Sequence, residues 1–156
     1  QSRSSAASDV YKRQNSDGYD MVSPSGEGAV RCMSEAISQF GQEIDYINAH
    51  GTSTPVGDIA EINAIQEVFN SQNPFLSSTK SLTGHSLGAT GAQEVIYSMI
   101  MMNKGFVSPS INVEAVVDEI GDINLVTEEN NHKINSFMSN SFGFGGTNAC
   151  LVFNKD

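Results

Sequence analysis

Side chains that could do chemistry lie in two glycine-rich turns of this sequence. Residues 83–94 read TGHSLGATGAQE, and GHSLG (84–88) fits the G-x-S-x-G pattern around the nucleophilic serine of α/β-hydrolases. A second histidine, His50, lies in NAHGTSTPVGD, and Lys80 stands five residues before His85. These residue types could supply a serine nucleophile, a pair of catalytic histidines or a set of metal ligands.

The serine nucleophile is tested by the context that its pattern requires. A hydrolase elbow follows directly on a buried strand, whereas KSLT (80–83) is polar. A triad in that order also needs a later histidine, and the one available, His132, lies in the polar run EENNHK. The sequence therefore favours a capping role for Ser86 at the start of the following helix, and a serine hydrolase remains an alternative.

The two histidines form a stronger pattern, because each follows a candidate strand. The ends of neighbouring strands converge on one crevice in a layered α/β protein, so we expect His50 and His85 to face each other with Lys80 beside them. Two imidazoles with Asp58 could instead bind zinc. Their spacing matches no ligand motif and a nearby lysine would repel a cation, so we predict no metal.

The elements that would position these side chains follow from hydrophobic periodicity. Spacing of three and four residues predicts helices over residues 26–40, 55–69 and 91–105. Shorter apolar or alternating runs predict strands over residues 44–49, 74–79, 123–128, 133–142 and 147–153, the last two joined by GFGG (143–146). Helices interleaved with short strands indicate an α/β fold.

Composition limits the function classes. The 156 residues are 38% hydrophobic, enough for one core, and carry 18 acidic and 8 basic residues, a net charge of −10. That charge argues against nucleic-acid binding, and no apolar run approaches the roughly 18 residues of a membrane span. The two cysteines are too few for a disulfide framework, which indicates a protein of the reducing cytoplasm. Residues 1–14, rich in Ser and Ala, are predicted to be a leader (a tag, linker or read-through scar) outside the fold.

Three blocks carry a family resemblance. NAHGTSTPVGDIAE (48–61), STKSLTGHSLGATGAQE (78–94) and NSFGFGGTNA (140–149) resemble the hallmark blocks of β-ketoacyl-acyl-carrier-protein synthases, condensing enzymes of the thiolase-like superfamily. The resemblance covers residues 15–156, and MVSPSGEGAVRCM (21–33) is most similar to the type I bacterial branch of fatty-acid elongation. It implies a layered α-β-α-β-α architecture, of which this chain supplies mainly the C-terminal half.

The resemblance also implies a reaction, a decarboxylative Claisen condensation of an acyl thioester with malonyl-acyl-carrier protein. Two imidazole donors would stabilise the enolate oxygen that forms on decarboxylation. The implied catalytic residues are His50, His85, Lys80 and Glu94. Thr52 and Thr54 would bind the phosphopantetheine arm, while Phe142, Gly143 and Phe144 would line and gate the acyl site. Taken without the family, the glycine-rich segment reads as a hairpin with core aromatics.

One departure concerns the nucleophile. The family's cysteine lies in the N-terminal half, whereas Cys32 falls on the apolar face of a predicted helix and Cys150 in a terminal strand, where both are expected to be buried. We therefore expect a fragment that lacks the nucleophile, is inactive and poorly soluble alone, and has an uncovered apolar face. The expected partners are acyl-carrier protein and a second copy of the full-length protein, with no free cofactor. A non-catalytic, carrier-protein-binding partner subunit remains an alternative.

Overall fold

The computed structural model describes residues 10–155 and contains one six-stranded mixed sheet. The strands are β1 (Val10–Ser16), β2 (Tyr46–Asn48), β3 (Phe75–Ser77), β4 (Asn124–Leu125), β5 (Ser136–Gly143) and β6 (Thr147–Asn154). Their order across the sheet is β1-β6-β5-β2-β3-β4. The three pairs β5–β2, β2–β3 and β3–β4 are parallel, whereas β6 runs antiparallel to both of its neighbours. The five strands predicted by periodicity are confirmed, β2 to β4 being shorter than predicted.

The helices begin and end at residues suited to those positions. They are α1 (Glu27–Phe40), α2 (Pro55–Val68), α3 (Lys80–Thr83) and α4 (Thr90–Lys104). Pro55 occupies the first turn of α2, where its missing N–H has no helical partner in any case. Gly41 and Gly105 end α1 and α4 in the left-handed conformation, with φ of 71° and 75°. The three helices predicted from the sequence are confirmed to within about one residue at each end.

Helices cover both faces of the sheet. Because side chains alternate along a strand, Ile47 of β2 points to α1 and α2, while Tyr46 points to α4. The first core combines Cys32, Met33 and Ala36 of α1 with Ala64 and Ile65 of α2. The second core packs Met101 and Met102 of α4 against Phe137 and Phe153, whose rings stack with centroids 4.9 Å apart. The result is an α/β/α sandwich.

The predicted leader differs from the structure over five of its residues. Residues 10–14 form most of β1 and pair with β6 in the register Val10 to Phe153. The prediction that they lie outside the fold is therefore wrong, because backbone pairing with an edge strand requires no apolar periodicity in the added strand. Residues 1–9 of that leader lie outside the described residues.

Helix α4 leaves apolar side chains open on the side turned away from the sheet. Ile96 is 55% exposed and Ile100 is 47% exposed, although both lie in the middle of a helix. Within residues 10–155, no helix is long and apolar enough to cross a membrane. Because Ile96 and Ile100 are four residues apart, they lie next to each other on the exposed side of α4.

Candidate active site

Three parallel strands deliver the candidate side chains to one edge of the sheet. His50 lies two residues beyond the end of β2, and Lys80 lies three residues beyond the end of β3. Asn48 pairs with Ser77 of β3 on one side and Ser139 of β5 on the other, so Phe142 on β5 reaches the same edge. Carboxyl ends of parallel strands are where open α/β sheets place their ligands.

The two histidines lie against each other, as their positions predict. Their ring centroids are 5.6 Å apart and the rings are nearly perpendicular, at 87°. The ring of Phe142 lies 6.1 Å from that of His50. The structure thus brings the three side chains into one cluster, while their catalytic roles stay predictions.

His85 is held in one tautomer by two hydrogen bonds to the same nitrogen. The backbone N–H of Leu87 donates to its Nδ1 at 3.1 Å, and the hydroxyl of Thr90 lies 2.9 Å from that atom. A backbone N–H can only donate, so Nδ1 is an acceptor and the ring proton resides on Nε2. The turn that places the ring needs a positive φ at Gly84, 72°. His85 therefore presents Nε2–H as a donor.

His50 is fixed through its backbone by a residue that the sequence analysis missed. The N–H groups of His50 and Gly51 donate to the two carboxylate oxygens of Glu61, at 2.9 and 2.8 Å, and Asn140 Nδ2 donates to one of them at 3.3 Å. Burial raises the pKa of Glu61, while these hydrogen bonds oppose that shift. The sequence signal that could have identified Glu61 is its position: it is an acidic residue one turn before the buried Ile65, on the apolar stripe of α2.

The imidazole of His50 is kept neutral by its surroundings. Burial, followed by the positive charge of Lys80 and the neighbouring His85, lowers its pKa to about 4. Its Nδ1 is buried and has no hydrogen-bond partner among residues 10–155. His50 is consequently an uncharged ring at neutral pH.

Lys80 and Glu94 form a buried ion pair beside the histidines. Lys80 Nζ donates to Glu94 Oε1, and both side chains are almost fully buried. Burial raises the pKa of Glu94, and the bond to Lys80 opposes that rise. The other oxygen, Oε2, has no partner within the described part of the chain. Such a pair places a fixed charge near the histidines at a desolvation cost that only close pairing offsets.

The two threonines lie on the turn that leads from His50 into α2. Their hydroxyl oxygens are 3.2 Å apart; Thr52 is half-buried and Thr54 is exposed. Asp58 accepts the backbone N–H of Ser53 at 3.1 Å, which holds this turn closed at a residue with φ of 62°. In the described residues no three His, Cys, Asp or Glu side chains group as metal ligands would.

The glycine-rich segment after β5 presents an aromatic side chain to solvent. Phe144 is 80% exposed, between Gly143, which ends β5, and Gly145, whose φ is 76°. The N–H of Gly145 donates to the carbonyl of Met21 at 2.8 Å, so the backbone is anchored although the Phe144 ring is not packed. The hairpin expected without the family is present, but its tip aromatic is not a core residue.

The alternative nucleophiles are poorly placed. Ser86 makes no side-chain capping bond, and α4 starts at Thr90, so the predicted capping role is wrong. His132, the histidine that a serine triad would need, stacks on Phe75 at the opposite end of β3, with centroids 4.3 Å apart. Cys32 of α1 and Cys150 of β6 are both free and fully buried in the core between α1 and the sheet, as predicted.

This arrangement defines an α/β protein with a polar site at the ends of parallel strands, made of two facing imidazoles and a buried Lys80–Glu94 ion pair. The chain belongs to the β-ketoacyl synthase family, whose C-terminal domain model matches residues 8–114. It is 57% identical over 140 residues to 3-oxoacyl-[acyl-carrier-protein] synthase 1 of Escherichia coli K12, covering 90% of this chain and 34% of that protein. The chain thus spans about a third of that relative's length.

Solved structures agree with the family. A β-ketoacyl synthase from Burkholderia phymatum superposes with a TM-score of 0.89 at 34% identity, over 96% of this chain and 38% of that one. A type II polyketide ketosynthase, solved with its acyl-carrier protein, superposes with a TM-score of 0.87 at 27% identity, over 93% and 37% of the two chains. The predicted thiolase-like α/β fold and the family resemblance are confirmed.

Proposed function

We propose that this chain forms the C-terminal part of a 3-oxoacyl-acyl-carrier-protein synthase of the type I class. The observation that carries the proposal is the pairing of His50 and His85, with centroids 5.6 Å apart, next to the buried Lys80–Glu94 pair. Two neutral donors and a nearby cation suit a reaction that develops negative charge on an oxygen. A serine hydrolase has no comparable support, because His132, the histidine that a triad in that order would need, stacks on Phe75 at the opposite end of β3.

The proposed reaction starts with an acyl group held as a thioester on a cysteine outside this chain. The thioester oxygen of malonyl-acyl-carrier protein accepts hydrogen bonds from His85 Nε2–H and from His50. The bond to the carboxylate breaks, carbon dioxide leaves, and the electron pair forms an enolate on that oxygen. The enolate carbon then attacks the acyl carbonyl, a C–C bond forms, the C–S bond breaks, and the cysteine leaves as a thiolate.

The ion pair supports this chemistry electrostatically. Burial is the main cause of the lowered pKa of His50, and the positive charge of Lys80 adds to it, so His50 remains a neutral donor at neutral pH. Glu94 neutralises Lys80 within the buried interior and fixes its position. Removal of one partner would leave the other charge buried and unpaired, which costs about 3–5 kcal/mol.

The remaining predicted residues suit a substrate delivered by a carrier protein. The hydroxyls of Thr52 and Thr54, two and four residues after His50, can accept hydrogen bonds from or donate them to the amides of a phosphopantetheine arm. The unpacked ring of Phe144 and the glycines around it suit a gate in front of the acyl site. Acyl-carrier protein as partner, a cytoplasmic location and a homodimer of the full-length protein belong to the same proposal, and no free cofactor is required.

A hybrid enzyme tests the proposal. Residues 10–156, which include the whole of β1, replace the homologous C-terminal part of the E. coli synthase, and condensation of an acyl primer with malonyl-acyl-carrier protein is followed by mass spectrometry. We expect 3-oxoacyl product from the hybrid and none from its Lys80→Ala variant. A hybrid that folds, loads the acyl primer and makes no product would refute the proposed function. Labelling of Ser86 by a fluorophosphonate would support a hydrolase instead.

A further inference from the structure

A buried asparagine two residues before His50 makes more side-chain hydrogen bonds than any residue of the predicted site. Asn48 is the last residue of β2 and is completely inaccessible to solvent. The two hydrogens of its Nδ2 are shared among three acceptors: Thr79 Oγ1 at 3.2 Å, Ser98 Oγ at 3.2 Å and the Glu94 carbonyl at 3.4 Å. Its Oδ1 accepts the backbone N–H of Thr79 at 3.4 Å.

These bonds join three separate elements. Thr79 immediately precedes Lys80, and its carbonyl accepts the N–H groups of Leu82 and Thr83, which start the turn that leads to His85. Glu94 and Ser98 are successive turns of α4. A single amide therefore ties the strand that carries His50 to the segment that carries Lys80 and to the helix that carries Glu94.

We propose that Asn48 is a positioning residue that sets the Lys80–Glu94 pair in register with His50. This inference rests on the proposed function and deepens it. Alternation along β2 directs Asn48 to the α4 face, whereas Glu61 holds His50 from the α2 face. The two sides of the sheet thus fix the two halves of the site independently, and Asn48 is the link on the lysine side.

The reason for an amide at this position is chemical. The position needs donors for Thr79, Ser98 and a carbonyl, together with an acceptor for a backbone N–H, and an uncharged amide supplies both. A carboxylate would meet the Glu94 carbonyl with no proton to donate. An aliphatic side chain would remove the Asn48 partner from the backbone N–H and the hydroxyl of Thr79, whereas Ser98 Oγ would still donate to the Glu94 carbonyl at 2.8 Å.

The matched control lies on the same strand and face. Tyr46 is also completely buried, two residues before Asn48, and its hydroxyl lies 2.9 Å from Ser77 Oγ. Tyr46→Phe removes one buried hydrogen bond in the same strand without touching Thr79, Lys80 or Glu94. A loss shared by Asn48→Ala and Tyr46→Phe therefore reports stability, and a loss confined to Asn48→Ala reports position.

The experiment measures carbon dioxide release from malonyl-acyl-carrier protein by the hybrid enzyme. We expect Asn48→Ala to lower kcat about 10- to 100-fold, the scale of a misplaced catalytic group, with KM within about twofold of the unsubstituted hybrid. Tyr46→Phe should retain kcat. Equal kcat in the two variants would overturn the assignment.

Two further measurements keep the test decisive. If Asn48→Ala does not fold, Thr79→Val removes the hydroxyl partner at constant volume, and wild-type kcat in that variant would overturn the inference.

If the unsubstituted hybrid releases no carbon dioxide, the proposed function fails, and the position of Lys80 relative to His50 is measured by histidine NMR instead. Displacement of Lys80 should then raise the pKa of His50 in Asn48→Ala and not in Tyr46→Phe; no such difference would overturn the inference.

Discussion

Replacement of His85 by Gln and by Ala distinguishes the roles of its two ring nitrogens. Because the N–H of Leu87 and the hydroxyl of Thr90 both point to Nδ1, the sole donor that His85 offers to a substrate is Nε2–H. The amide nitrogen of Gln reaches nearly the position of Nε2, whereas Ala removes the donor. The two variants lose the same contacts at Nδ1 and differ in the donor alone.

The size of the effect follows from the number of donors lost. One donor to a developing oxyanion contributes about 3–4 kcal/mol, so His85→Ala should lower kcat for decarboxylation by about 10²–10³-fold. His85→Gln keeps a donor, and in both variants the N–H of Leu87 loses its acceptor in an exposed turn, where water can replace it. We therefore expect His85→Gln to release carbon dioxide at least ten times faster than His85→Ala, with ~1.4 kcal/mol as the smallest retained contribution.

The assay is release of labelled carbon dioxide from malonyl-acyl-carrier protein by the hybrid, at pH 7 and saturating substrate. Acyl transfer from the primer serves as the internal control, since it does not need the enolate donor. Equal rates in His85→Gln and His85→Ala would refute the assignment of Nε2–H as the donor. Selective ¹⁵N labelling of histidine provides a second check, because a protonated Nε2 and an unprotonated Nδ1 have distinct shifts.

Two other predictions concern the supports of His50. Glu61→Gln should destabilise the hybrid by about 2–4 kcal/mol in urea unfolding, because His50 and Gly51 donate to different carboxylate oxygens and the amide places an NH2 donor against one of these N–H groups; a loss below about 1 kcal/mol would contradict the bidentate contact. His50 has a pKa of about 4 in the fold against about 6.5 unfolded, so its contribution to stability is complete above pH 6.5 and is lost as the pH falls. Between pH 7 and 5 we expect the hybrid to lose up to about 2 kcal/mol more than His50→Gln, and parallel pH curves would show that His50 is not held neutral.

Periodicity predicted the elements of this fold well because most of them have one apolar side. Helix α1 places Cys32, Met33 and Ala36 on one stripe, and its end is marked by Gly41. Strand β1 was missed because it is an edge strand whose side chains alternate between exposed and half-buried, with Lys12 and Arg13 in its centre. Its position comes from backbone pairing to β6, which leaves no signature in residue type.

The residues of the candidate site also fall into two groups, those that the sequence predicts and those that it does not. His50, His85 and Lys80 could be predicted because they are polar residues in turns after strands, and convergence of strand ends follows from the fold class. Glu61 and Asn48 could not be chosen from the sequence, because their roles depend on which backbone groups lie across from them. A buried acid on α2 has several possible partners, and only the packing of α2 against the sheet selects His50 and Gly51.

The parallel pairing of β2 with β5 joins Tyr46 to Phe137, residues 91 positions apart (137 − 46). Closing so long a loop is slow, because the chain loses conformational entropy before the contact contributes any stabilising free energy. The edge that collects His50 and Phe142 therefore exists only after this closure, whereas α1 and α2 can form earlier from local contacts. Damage to the polar edge should accordingly appear as faster unfolding, with refolding rates nearly unchanged.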